Sequence, residues 1–406
     1  MAGKAYVYVG NWSFESNPAK GKGITVFEYD RQQGNLKLLE TVRPDVAAGQ
    51  LYLDPERKIL YAVNECGEQR GEIGGGGYLM AFKIDEHCGR LTLMNEKKSL
   101  SPEPSYLAMD QTKKYILACH CADPFHVTKV LRREDGTYFN QVLFDDTGLC
   151  MFKINEDGSI GEACDVIITK GMDEGSREGQ VNIDPVSGHI QLVEVISRLH
   201  SVVKSPLGNV FAVCDKGMDR IYTYRINYAR ECLEKLDQWK SEKKACFPRY
   251  GVFHPKLPVY YANNENSPTI NVFQYGENDG KLTFINETEL LADDPGLIDG
   301  KPVGAQDILI SPDGKNLYCT LCGLNVIIAM ALDAQGRPEV IQRIKSGGVM
   351  PRGIQLSPDG RYLLAGNMIS GNVTVFEVEG GGRLKEEPKS FAAVSPSAIR
   401  FLYCEG

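Results

Sequence analysis

Two short segments recur seven times each, always in the same order, and this recurrence limits the fold more than any other feature of the chain. The first leaves a turn and enters a strand. It occurs at 48–54, 104–110, 199–205, 248–254, 305–311, 351–357 and 396–402. The other is a β-branched and aromatic run such as ITVFEYD at 24–30, IYTYRIN at 221–227 or VTVFEVE at 373–379. Between them, after turns such as Ser357-Pro-Asp-Gly360, lies a run like Tyr362-Leu-Leu-Ala-Gly-Asn367. A Gly-x-Leu segment usually follows, as at Gly34, Gly89, Gly280 and Gly382. Period-two alternation bounded by Gly, Pro, Asp and Asn reads as short antiparallel strands. Four such strands in a unit of roughly 50 residues make a propeller blade. The fold class that follows is all-β: a seven-bladed β-propeller forming a single domain over residues 1–406.

The two ends predict how the ring closes. Pro396–Leu402 is a first strand with no second strand after it, and Ala5–Asn11 is a second strand with no first strand before it. Together they complete one blade, which removes the exposed edges that invite aggregation. Two stretches break the period. Residues 122–147 are rich in charge, and residues 170–197 contain a hairpin-like Ile183–Ile190. Both are expected to be insertions, and insertions on one face of a repeat array often mark its functional face.

The formal charge of −8 weighs against nucleic acid and against an anionic membrane surface, and neither is an expected partner. An anionic ligand would need a local cluster of Arg or Lys. The N-terminal residues lack a charged segment followed by an apolar one, and the expected location is cytoplasmic. The 12 cysteines are scattered and read as mostly buried thiols. Cys119-His-Cys121 and Cys319-Thr-Leu-Cys322 lack the four suitably spaced ligands of a structural zinc site. The run Gly74–Gly77 lacks the Gly-Lys-Ser/Thr of a phosphate loop. No nucleophile elbow and no dinucleotide fingerprint occur. Neither a metal nor a cofactor is implied.

Stacking the repeats brings chemistry into register. The second position of the first segment holds Gly49, Ser105, His200, Arg249, Gln306, Arg352 and Ser397. First strands line the channel of a propeller, so these side chains form a ring, and unlike polar groups converging in one ring suggest a binding site. A second ring sits where the second strands end: Asn64-Glu65, His120-Cys121, Asp215-Lys216, Asn264-Glu265, Leu321-Cys322 and Asn367-Met368. Glu265 beside Arg249, and Asp215-Lys216 beside His200, would pair groups with opposed pKa pressure. Asn64-Glu65 reads equally as a turn, because Gly67 and a Gly-rich stretch follow.

The runs Tyr8-Val-Gly10, Leu60-Tyr-Ala-Val-Asn-Glu65, Leu199-His-Ser201, Pro248-Arg249, Asn264-Glu265, Ser311-Pro-Asp-Gly314, Pro351-Arg352 and Asn372–Phe376 resemble the propeller-type 6-phosphogluconolactonases, a family that includes carboxy-muconate cyclases. The resemblance implies His200, Arg249 and Glu265 as catalytic residues. It places Arg352, Asn264, Asp307 and Asn367 around the substrate, and Arg198 or Lys216 would join Arg352 in clamping a carboxylate or phosphate. The chain departs from the family pattern at Arg198, where the family has the first His of His-x-His. It departs again at Tyr250, which follows Arg249 in place of His, and at Cys119-His-Cys121 in place of Ala-Asn-Tyr. These changes surround the site and bear on which lactone fits. The expected function is hydrolysis of a lactone of a small acidic sugar or organic acid, in carbohydrate metabolism. Two alternatives remain: a cyclase or lyase that makes or opens a lactone without water, and a ligand- or protein-binding propeller with no chemistry.

Overall fold

A computed structural model of the chain describes residues 4–12, 23–66, 76–121, 126–144, 146–169, 181–183, 190–192, 197–243, 246–293, 297–298 and 301–404. Seven four-stranded antiparallel sheets are arranged as blades about a channel. The first strands of blades 1 to 7, nearest the channel, are Leu51–Asp54, Pro104–Met109, Leu199–Lys204, Pro248–Phe253, Ala305–Ile310, Pro351–Leu356 and Pro396–Tyr403. Blade 7 takes its inner strand from 396–403 and its other three from Ala5–Asn11, Gly23–Asp30 and Asn35–Val42. Tyr6 pairs with Leu402 and Val9 with Ile399, so the two ends close the ring as expected.

Period-two alternation builds the core. In the second strand of blade 1, Ile59–Asn64, every residue is buried. Leu60 and Ala62 pack toward blade 7, whereas Ile59, Tyr61 and Val63 pack toward blade 2. Such two-sided strands divide the core into seven apolar clusters, one at each blade-to-blade junction. A polar latch recurs beside them. The buried hydroxyls of Tyr8, Tyr61 and Tyr318 donate to the carbonyls of Gly89, Gly158 and Gly382 in the next blade, at 3.0, 2.7 and 2.9 Å. All three glycines have φ between 74° and 87°, which L side chains rarely adopt, so the turns of the outer hairpins require glycine.

The first insertion lies between the second and third strands of blade 2, as the hairpin His126–Arg132 with Tyr138–Phe144. Its expected boundary needs correction: Thr147 already belongs to the third strand, Thr147–Ile154, and pairs with Thr169. Of the second insertion, Val181–Ile183 pairs with Ile190–Leu192. Its other residues from 170 to 196, the Gly74-Gly75 part of the glycine run and Asp145 lie outside the described residues. Among the described residues no helix is long and apolar enough to cross a membrane.

Candidate functional site

The ring expected from sequence exists, and a β-bulge aims it. In six blades the ladder between first and second strands skips the ring position: Ser105, His200, Arg249, Gln306, Arg352 and Ser397 each fall at a register shift. A bulged residue leaves the alternation of its strand and turns its side chain elsewhere. The serines latch neighbouring blades, Ser105 Oγ donating to Leu199 O at 3.0 Å and Ser397 Oγ to Gly49 O at 3.2 Å. The larger polar residues form the charged mouth.

Arg249 and Glu265 are the fixed centre of that mouth. Arg249 Nε donates to Glu265 Oε2 at 3.0 Å, and its Nη1 donates to the carbonyl of Gln306 in blade 5. The Arg249 guanidinium also stacks on Tyr250, 4.3 Å from the ring centroid. Lys216, just after the second strand of blade 3, donates to both Glu265 oxygens at 3.2 and 3.0 Å. Burial opposes charge on Glu265, but Lys216 and Arg249 together overcome it and hold the carboxyl at a pKa of about 2. Glu265 is therefore ionised and a weak base.

His200 lies beside this pair, its ring 5.3 Å from that of Tyr250. Burial, then the charges of Arg249, Lys216 and Arg352, push its pKa well below the ordinary value, so the imidazole is neutral. Its Nδ1 is buried and has no hydrogen-bond partner among the described residues. Arg352 is the contrasting cation. It is 8% exposed, stacks on Trp12 at 4.0 Å and lies 3.6 Å from Glu65, yet no hydrogen bond to it is found among the described residues. A guanidinium has five donors, so most of its capacity faces the mouth unspent.

The strand-end pairs divide by alternation. The first members turn into their own blades. Asn264 donates to Thr269 Oγ1 at 2.8 Å and accepts from Asn271, while Asn367 donates to Thr374 Oγ1 at 3.2 Å. Asp215 accepts from Ser197 Oγ at 2.6 Å and from the Arg198 amide at 2.8 Å. Asp307, from the first strand of blade 5, accepts the amides of Ile308 and Ile354, and burial pushes it up to a pKa of about 6. Asn264, Asn367 and Asp307 thus each bond within the sheets, while Asn367 Oδ1 is buried without a hydrogen-bond partner among the described residues. The second members face the mouth: Glu265, Lys216 and Glu65, for which the sequence had left a turn as the alternative. Arg198 precedes the first strand of blade 3, its carbonyl accepting the Lys216 amide at 3.0 Å. Cys121 lies near Lys216 and Arg198, and burial raises its thiol to a pKa of about 11, so it is not a thiolate.

The opposite mouth differs. A depression of about 570 Å³ there is lined by the far ends of the first strands, including Tyr52, Tyr106, Lys204, Gln355 and Arg400. Its cations are spent. Arg400 donates to Gln50 at 2.9 Å and to Ile399 O at 2.7 Å, and Lys204 donates to Ser205 O at 2.6 Å. The unspent donors of Arg352 favour the other mouth as the place for chemistry.

The model of the seven-bladed β-propeller lactonase family matches residues 6–401. A 6-phosphogluconolactonase from Formosa agariphila is 25% identical over 388 residues, covering 94% of this chain and 95% of that protein. A 6-phosphogluconolactonase from Bacillus subtilis is 23% identical over 403 residues, covering 98% of each. Among solved structures, a periplasmic gluconolactonase from Pseudomonas aeruginosa superposes with a TM-score of 0.77 at 22% identity, covering 98% of this chain and 99% of that one. With the family pattern running through all seven blades, this chain belongs to the lactonase family of seven-bladed β-propellers.

Proposed function

We propose that the chain hydrolyses a lactone of a small acidic sugar or organic acid, of the 6-phosphogluconolactone type, at the mouth that holds Arg352 and His200. The observation that carries this reading is the buried Arg352 guanidinium with its donors unspent. A guanidinium fork matches a carboxylate or phosphate bidentately, and such an anion would anchor the substrate. The names of the family relatives, 6-phosphogluconolactonases matched over nearly the whole chain, support the same substrate class.

In this reading the neutral His200 takes a proton from water as the hydroxyl adds to the lactone carbonyl. The ring C–O bond then breaks, and the imidazolium returns its proton to the departing alkoxide. Glu265 is ill suited as the base because two cations already hold its charge. It serves as a positioning residue, fixing Arg249 and Lys216. Their positive field would stabilise the oxyanion of the tetrahedral intermediate, an effect on the order of 3 kcal/mol when preorganised. The test is a pH-stat assay with 6-phosphogluconolactone and gluconolactone, repeated in heavy-oxygen water. Hydrolysis places one labelled oxygen in the product carboxylate. Turnover without label would mean elimination or cyclisation, and the hydrolytic reading would fall.

A further inference from the structure

One ring position has no side chain of its own, and another residue fills it. A Cβ built on Gly49 would lie 1.8 Å from Glu65 Oε2, so the Glu65 carboxyl occupies the seat that blade 1 leaves empty in the ring. The backbone holds it there: the Glu65 amide donates to Ala47 O at 2.8 Å, and Asn64 Oδ1 accepts the Ala47 amide at 2.7 Å. The Glu65 side chain is only 7% exposed. Among the described residues its one cationic neighbour within 4.0 Å is Arg352, at 3.6 Å, which is beyond hydrogen-bond length. The other cations of the mouth, Arg249 and Lys216, are bonded to Glu265. Glu65 therefore stands where an anion bound to Arg352 would have to stand close by.

We infer that Glu65 and an incoming carboxylate or oxyanion compete for Arg352, and that Glu65 takes up one proton as the anion seats, changing from a rival into a hydrogen-bond donor to it. The inference rests on the reading of Arg352 as the anion clamp. Two like charges sharing one guanidinium in a buried mouth repel, and protonation of one relieves the repulsion. Arg352 from blade 6, Arg249 from blade 4 and Lys216 from blade 3 favour the carboxylate, while burial, the largest effect, disfavours it and leaves the Glu65 pKa raised. The nearby Cys121 thiol of blade 2 and Tyr250 phenol of blade 4 have raised pKa values of their own and are neutral, so they add no charge. An arriving anion adds a further push in the direction of protonation. The proton comes from solvent and no covalent bond changes. Glu65 thereby determines specificity: the site selects anions that can accept a hydrogen bond from a carboxylic acid beside the guanidinium.

Calorimetric titration with gluconate and with sulfate, neither of which titrates above pH 5, tests this. Each is measured between pH 5 and 8 in two buffers of different ionisation heat. Wild type is expected to take up a proton on binding, reaching about one per anion where Glu65 starts ionised. Its affinity should fall by up to about tenfold per pH unit over that range. Glu65→Gln should take up none, show a flat affinity from pH 6 to 8 and bind about tenfold tighter than wild type at pH 8. Gly49→Ala, which drives the carboxyl from its seat, should also lose the proton uptake. Should either variant fold poorly by thermal melt, the wild-type proton count decides alone. Binding by wild type with no proton uptake, or an unchanged pH dependence in Glu65→Gln, overturns the inference and leaves the clamp standing. Wild type binding neither anion, or Arg352→Ala binding as well as wild type, removes the clamp and the inference with it.

Discussion

Glu265 and Arg249 meet within one blade, Oε2 to Nε at 3.0 Å, with the arginine 1% exposed and the glutamate 26%. Lys216 from the neighbouring blade shares the same carboxylate. Removing one partner of a buried pair leaves an uncompensated charge, and Glu265→Gln leaves two cations facing each other. We expect a loss of about 2–3 kcal/mol of stability, less than a fully buried pair would lose because the glutamate is partly hydrated. Urea unfolding measures it. The pH dependence has a defined direction. A carboxyl held at about 2 against an ordinary 4.5 contributes stability that is present above about pH 4.5 and lost as pH falls toward 2. That acid-side loss should be smaller in Glu265→Gln.

Arg352 should behave in the opposite way. With no hydrogen bond to it among the described residues, Arg352→Ala should weaken gluconate binding by about 2–4 kcal/mol and shift the melting temperature little. Arg352→Lys restores the charge without the fork and should recover little affinity. Titration calorimetry paired with thermal melts separates these outcomes. A large fall in melting temperature with unchanged affinity would make Arg352 structural.

His200 should not titrate in the neutral range. Burial and the cations Arg249, Lys216 and Arg352 all disfavour its protonated form. Ring-nitrogen chemical shifts followed from pH 5 to 8 should stay those of neutral imidazole. A midpoint near 6.5 would mean that burial and the neighbouring cations do not act on His200 as described.

Asn264 gives a sharp contrast with its neighbour Glu265. Its amide is bonded to Thr269 and Asn271 inside the blade. Asn264→Ala should cost about 1–2 kcal/mol in stability while changing KM by less than about threefold. A KM effect of an order of magnitude would return Asn264 to the substrate.

Deleting residues 1–12 should strip the partner from Pro396–Tyr403 and expose its backbone edge. The truncated chain is expected to aggregate, visible in light scattering and size-exclusion profiles. A truncated chain that elutes and melts like the full one would refute the closure.

The blade count and the closure were legible because they depend on short-range pattern: period-two alternation and a repeated turn. His200, Arg249 and Arg352 were legible for a related reason, since one repeat position maps to one ring. Alternation also separates residues that are neighbours in the chain. Asn264 and Asn367 are one residue short of the mouth, and one residue in a strand is the opposite face. Glu65 occupies the same repeat position as Glu265, and that match put it in the second ring. What left its role open was its setting, with glycines ahead suggesting a turn. Its meaning also depends on Arg352, 287 positions away, and on the missing side chain of Gly49. Contacts of that kind appear only when the ring is closed.

The ring's clasp also sets an order of events at synthesis. Tyr6 pairs with Leu402, so one strand of blade 7 waits for a partner made nearly four hundred residues later. At roughly 5–20 residues per second that interval is on the order of 20–80 s. Blades 1 to 6 are made during it, and the circle stays open until the seventh gains its inner strand. Ala5–Asn11 can pair with Gly23–Asp30 early, but its other edge stays open until 396–403 has been made.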